Sequence, residues 1–190
     1  MATQRSTTKT TAPELLRGQH ESVKKMFSEM ATARGRDRED LFDCLRKTLA
    51  VHETAEEMVV YPEVRTMNKA AERLVETRLK EEGEAKTVLA QLEKVGPNDD
   101  QFDKLFDTFR QAVLQHASAE EEHIFPLLEE NIPGAKLIEM AELIETAESM
   151  APTHPHPHGP ESALGNLMVG PFVAMVDKVR DKLGEHQKKR

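Results

Sequence analysis

The 190-residue chain has no tryptophan, one tyrosine and one cysteine, and aromatic residues make up only 4% of it. A lone cysteine, Cys44, cannot close an internal disulfide and suits a reducing compartment. It falls in an apolar helical pattern, so a buried structural thiol is expected. No apolar run approaches the ~20 residues that a membrane-spanning helix needs. The opening residues MATQRSTTKTTAP carry no apolar stretch of the kind a secretion signal uses. These absences predict a soluble, cytoplasmic protein with no membrane partner. A concentrated basic face is missing too: 26 Lys and Arg stand against 34 Asp and Glu, a formal charge of -8, and a nucleic-acid partner is therefore not expected. Alternating strand patterns are scarce.

What the chain has in quantity is charge and aliphatic residues at helical spacing, with 32% Asp, Glu, Lys and Arg and nine methionines. Residues 1–12 are polar and Thr-rich and read as a disordered lead-in, ending where Thr11 and Pro13 open a helix. That first helix carries Leu16, His20, Val23, Phe27 and Met30 on one stripe. A second carries Leu41, Leu45, Thr48, His52, Ala55 and Val59 and ends near Tyr61 and Pro62. A third is predicted over about 68–95, stopped by Gly96 and Pro97, and a fourth runs from there to Phe125 and Pro126. Short connections between long amphipathic helices predict an all-α, up-down-up-down four-helix bundle. A shorter helix is expected over about 135–150, completing a bundle domain at 13–150. Residues 151–160, APTHPHPHGP, are too rich in proline for a helix and form a linker. Residues 161–190 then give an amphipathic C-terminal tail that could pack on the bundle or on a protein partner.

An internal repeat carries the chemistry. Residues 52–62 read HETAEEMVVYP and residues 116–126 read HASAEEEHIFP, with five identities at an offset of 64 residues. Each copy sets a His four residues before a Glu, His52 with Glu56 and His116 with Glu120, so imidazole and carboxylate share one helix face. One such pair is common on solvated helices; two in matched contexts inside apolar stripes are not. Burying them costs several kcal/mol unless a cation compensates. An imidazole and carboxylate set without thiolate suits iron or manganese. His20 stands 32 residues before His52, and the same count back from His116 reaches Glu82 at 34, with Ala85, Leu89 and Leu92 following it as Val23, Phe27 and Met30 follow His20. Glu81 competes, but its following positions are polar, and Glu82 is preferred. The candidate ligands are therefore His20, His52, Glu56, Glu82, His116 and Glu120, and two metals bridged by Glu56 and Glu120 would satisfy all six.

Other residues have simpler readings. Glu53 and Glu57 are expected on a solvated face, His123 in packing near the bundle end, and Tyr61 and Phe125 as packing where the prolines end regular helix. His154, His156 and His158 alternate with prolines in an extended linker, and His186 faces solvent.

The motifs LLRGQH with His20, HETAEEMVVYP and HASAEEEHIFP resemble the hemerythrin-like, or HHE cation-binding, family over about residues 13–130. The resemblance implies a cofactor of two iron ions, an oxo- or hydroxo-bridged di-iron centre, that binds dioxygen, peroxide or nitric oxide. One departure is visible. Where the family carries His in a phrase like EEHxxAK, this chain reads KEEGEAK, with Glu82 at the His position. A carboxylate there favours the ferric state and shifts weight from reversible dioxygen carriage toward a peroxide-decomposing, catalase-like activity. A third expectation is an iron- or oxygen-responsive regulatory role read out through residues 161–190.

Overall fold

The computed structural model describes residues 9–150. The linker and tail predicted over 151–190, with His154, His156, His158 and His186, lie outside the described residues, as do residues 1–8. Among the described residues every regular element is helical. α1 is Ala12–Met30 and α2 is Gly35–Ala55. α2 runs on through a π-helical turn, Glu56–Val60, into α3, Tyr61–Arg65. α4 is Lys69–Val95. α5, Phe102–Ala119, continues in the same way through a second π turn, Glu120–Ile124, into α6, Phe125–Asn131. α7 is Gly134–Met150.

The helix ends follow local chemistry. At the start of α1 the Glu14 carboxylate accepts from the Thr11 backbone N–H at 2.9 Å, which satisfies a donor the helix itself leaves free. The Asn68 side chain accepts from the backbone N–H groups of Ala70 and Ala71 and so caps α4. α4 ends at Gly96, whose φ of 81° is open to glycine and strained for other residues.

α1 with α2 and α4 with α5 form the two hairpins of an up-down-up-down bundle, and α7 packs across α1, α2 and the first π turn. Two apolar clusters fill it. One gathers Val23, Phe27, Phe42, Leu45, Leu92, Phe102, Phe106 and Phe109. The other gathers Leu16, Val59, Val64, Val75, Phe125, Leu128 and, from α7, Met140 and Ile144. Between them lies a layer of buried polar side chains: His20, His52, Glu56, Glu82 and Glu120.

Both π turns have the same cause. Pro62 and Pro126 have no N–H to give the preceding turn, and each ring would clash with the carbonyl four residues earlier. One extra residue relieves the clash, and the bonds become Tyr61 N–H to the Glu56 carbonyl and Phe125 N–H to the Glu120 carbonyl. Each extra residue advances the helix by about 100°. His123, seven residues past His116, would share its face on an unbroken α-helix; instead it is exposed, and Ile124 and Phe125 turn inward. The expected packing role for His123 is thereby corrected.

Cys44 is corrected as well, because its thiol is exposed. The buried stripe of α2 is Phe42, Leu45 and Leu49, and Cys44 lies about 100° from Leu45 and about 160° from Phe42, on the solvent side.

Candidate metal centre

All six candidate side chains meet in the polar layer. One group comprises His20, His52, Glu56 and Glu120, and a second comprises Glu56, Glu82 and His116; within each, the ligand atoms lie within 4.8 Å of one another. Glu56 belongs to both. Glu120 also faces both, its Oε2 lying 3.5 Å from His20 Nε2 and 3.4 Å from His116 Nε2. His52 Nε2 is 3.2 Å from Glu56 Oε2. Glu82 is buried in this layer, whereas Glu81 sits outside it and accepts from His116 Nδ1 at 3.1 Å.

The outer hydrogen bonds assign a proton to Nδ1 of each ring. His20 Nδ1 donates to Glu121 Oε1 at 2.9 Å, and His52 Nδ1 donates to Gln19 Oε1 at 2.7 Å. The Gln19 amide cannot be reversed, since its Nε2 donates to Glu148 at 2.7 Å. With Nδ1 of His52 protonated, its Nε2 presents a bare lone pair, and it stands 3.1 Å from His20 Nε2. At that distance two nitrogens need a proton or a metal ion between them. Burial, and then the His20 ring, hold His52 at about 3, so it stays neutral. Burial pushes Glu120 up, but the adjacent imidazoles, His116 foremost, outweigh it and hold the carboxyl at about 2. Glu56 Oε1 and Oε2, Glu82 Oε2, His116 Nε2 and Glu120 Oε2 are buried without a hydrogen-bond partner. Orphaned polar atoms are expensive in a core. These are converging nitrogen and oxygen donors, so the residues present fit a metal pair.

The repeat generates a pseudo-twofold outer shell. Gln19 and Glu81, each one residue before the α1 or α4 ligand, brace His52 and His116. Glu57 and Glu121, each one residue after a repeat glutamate, point at the opposite hairpin. Glu121 meets His20, but Glu57 finds Glu82 where an imidazole would stand. Lys86 fills that gap, 2.8 Å from Glu57, 3.5 Å from Glu53 and 3.5 Å from Glu82. Glu53 and Glu57 are therefore buried in an ion-pair cluster, which corrects their expected solvated position. Burial alone would lower the Lys86 ammonium, but Glu53, Glu82 and Glu57 raise it above its usual range. The end residues differ in a matching way. Phe125 stacks on His20 with centroids 5.6 Å apart, while the Tyr61 hydroxyl lies 2.5 Å from Glu82 Oε1 and 2.7 Å from Glu120 Oε1. A hydroxyl has one proton, so it donates to one carboxylate and the other contact needs a proton of its own or a shared one. Sequence reasoning missed this role of Tyr61, although the Tyr-for-Phe difference between repeats was the available signal.

The sequence profile of the Hemerythrin HHE cation binding domain matches residues 11–128. The chain belongs to the hemerythrin HHE cation-binding family. An uncharacterised hemerythrin-like protein of Schizosaccharomyces pombe is 29% identical over 136 residues, covering 71% of this chain and 67% of that one. A protein named DNA nickase from Nostoc sp. is 25% identical over 137 residues, 72% of this chain. The chain spans only 38% of the nickase's length, and this likeness transfers no activity. The crystal structure of a hemerythrin HHE cation binding domain-containing protein from Mycobacterium kansasii superimposes with a TM-score of 0.66 at 23% identity, over 88% of this chain and 98% of that one, and shares the fold. No helix among the described residues is long and apolar enough to cross a membrane.

Glu148 lies in α7, beyond the stretch that the HHE profile matches. Through Gln19 it orients His52, and outer partners of this kind set ligand affinity. Glu148→Leu is expected to weaken metal binding roughly tenfold or more with helix content unchanged, as read by competition with a chelator. Unchanged affinity would show that Gln19 holds His52 unaided.

Proposed function

We propose that the chain is a non-haem di-iron protein that binds dioxygen, or a related small oxidant or nitric oxide, within the bundle. His20, His52 and Glu120 would hold one iron and His116 and Glu82 the other, with Glu56 shared. The observation that carries this reading is the convergence of His20, His52 and Glu120 on Glu56, beside a second donor group, Glu82 and His116, built on the same Glu56. Iron is preferred because the donors are imidazole and carboxylate with no thiolate. When bound, such a pair supplies electrons and a Lewis-acidic open position for a small ligand. The protein supplies the rest: Tyr61 holds a proton between Glu82 and Glu120, Phe125 and the apolar clusters keep water away, and Glu81, Glu121 and Gln19 keep the rings in the binding tautomer.

The experiment is reconstitution with ferrous iron without air, followed by metal analysis and visible absorption before and after dioxygen or nitric oxide is admitted. Two irons per chain and a new near-ultraviolet band support the reading; an unaltered spectrum with either gas removes it. A second reading, peroxide decomposition, is favoured by Glu82 and the adjoining Tyr61 hydroxyl. Oxygen evolution from peroxide above that of free iron, reduced in Tyr61→Phe and Glu82→His, supports it, and evolution equal to free iron eliminates it.

The titrations give a further expected result. Burial, then Glu120 and Glu82, raise Glu56 well above the usual carboxylate range, and burial with Glu53 and Glu57 does the same to Glu82. Their protonated forms stabilise the metal-free fold fully below the ordinary 4.5, and that contribution is lost as pH rises through the folded values. His52 acts oppositely: its contribution is present above the ordinary 6.5 and is lost as pH falls toward about 3. Metal needs all three deprotonated, so the rise in Tm on adding ferrous iron is expected to grow as pH is raised above the ordinary carboxylate value of 4.5. A pH-independent rise would contradict carboxylate ligation.

A further inference from the structure

A cavity of about 400 Å³ runs from the polar layer to the surface between α4 and α5. His20, His52 and Glu82 line its buried end, while Glu84, Thr108, Ala112 and Gln115 are exposed at its mouth. Thr108 and His116 are eight residues apart on α5, about 12 Å along the axis. The walls between are apolar, formed by Val23, Leu49, Ala85, Val88 and Val113.

The size does not fit a diatomic ligand. A water occupies about 30 Å³ of liquid, and dioxygen, nitric oxide or hydrogen peroxide has only two heavy atoms. The metal positions explain only its inner end, where His20, His52, Glu82 and His116 line it; the space along Val88, Thr108 and Ala112 lies beyond them. Volumes from about 300 Å³ upward with apolar walls and a few polar groups at one end are those of organic-ligand pockets. The charged lining is acidic, from Glu53, Glu81, Glu82 and Glu84, and includes no lysine or arginine among the described residues. A carboxylate-tailed molecule would meet no cation in this lining and the exposed Glu84 at the mouth. The inner end carries His116 and Glu82, one of the two donor groups.

We infer that the cavity takes a neutral organic hydroperoxide, its alkyl or aryl body against Val88, Val113 and Leu49 and its oxygen head toward the metal position that His116 and Glu82 would hold. This rests on the di-iron reading of the same centre: of dioxygen, nitric oxide and the peroxides named there, only an organic hydroperoxide has a body to fill such a space. The inner end then recognises the head, and the apolar walls select the molecule.

The test uses 2-phenylpropan-2-ol, an unreactive alcohol with the shape of cumene hydroperoxide, titrated into the iron-loaded protein by calorimetry. Benzoate and tert-butanol serve as comparisons, and iron is measured in every sample. Ala112→Trp and Thr108→Trp block the mouth from two exposed positions and leave the ligands untouched. The expected result is binding of the aryl alcohol at least about tenfold tighter than either comparison, an increment of 1.4 kcal/mol. Both variants should lose that advantage at unchanged iron content. Stoichiometric iron with aryl-alcohol binding that is absent, matched by benzoate, or unaffected by both variants overturns the proposal and leaves the di-iron reading standing. Samples that take up no iron overturn the di-iron reading, and the hydroperoxide assignment with it.

Discussion

Replacing Glu56 with leucine is expected to abolish uptake of both metal ions while making the metal-free protein more stable. Both halves follow from one geometry. Glu56 is fully buried and neither carboxylate oxygen has a hydrogen-bond partner, yet it is the member common to both donor groups. Leucine has nearly the same volume and needs no partner. Exchanging a buried, unsatisfied polar group for an apolar one removes a cost of about 1–3 kcal/mol, which raises Tm by roughly 2–12 °C for a chain of this size. Thermal unfolding of the two metal-free proteins, with metal analysis after iron loading, checks both halves. A residue whose task is structural would give the opposite sign.

Lys86→Met is the second large effect. The ammonium lies against Glu53, Glu57 and Glu82 in a site where its side chain is 17% exposed. Iron can compensate Glu82, but Glu53 and Glu57 would lose their counter-charge. Breaking a buried ion pair from one side costs about 3–5 kcal/mol, and denaturant unfolding of the iron-loaded variant is expected to show a loss of that order. Adding Glu57→Gln should recover part of it, because an amide tolerates the site without a cation. The loss should also shrink at low pH, where burial already raises Glu53 toward its neutral form. Equal stability of wild type and Lys86→Met would mean that water reaches this cluster freely.

The helices were legible because apolar spacing, caps and prolines act locally, so the Pro13, Asn68 and Gly96 signals sit within a residue or two of the observed ends. The six candidate ligands were legible through the repeat: chemistry duplicated at an offset of 64 residues is hard to attribute to surface composition. The outer partners were not. Gln19, Glu121 and Glu148 act across helices, and nothing in their own sequence context marks them. Glu57 and Glu53 were read as solvated because charge is ordinarily exposed, and only the fold brings Lys86 onto them from α4. His123 was misplaced because a 3.6-residue period was carried through a proline-induced π turn. Cys44 failed for a plainer reason: it neighbours the buried stripe of α2 without belonging to it.

The asymmetry between the two halves explains why the departure at Glu82 is tolerated. Where α1 brings His20, the facing side chains are Glu121 and a stacked Phe125. Where α4 brings Glu82, they are Lys86 and the Tyr61 hydroxyl. A cation and a proton donor are what a buried carboxylate needs in place of an imidazole's acceptor and aromatic neighbour. The most direct test of the metal pair is the iron content of the protein purified from iron-replete cells beside Glu56→Leu and His52→Ala. The account predicts about two irons per wild-type chain and loss of both in Glu56→Leu, with at most one retained in His52→Ala. A wild-type chain without stoichiometric metal, or variants that keep the wild-type content, would contradict it.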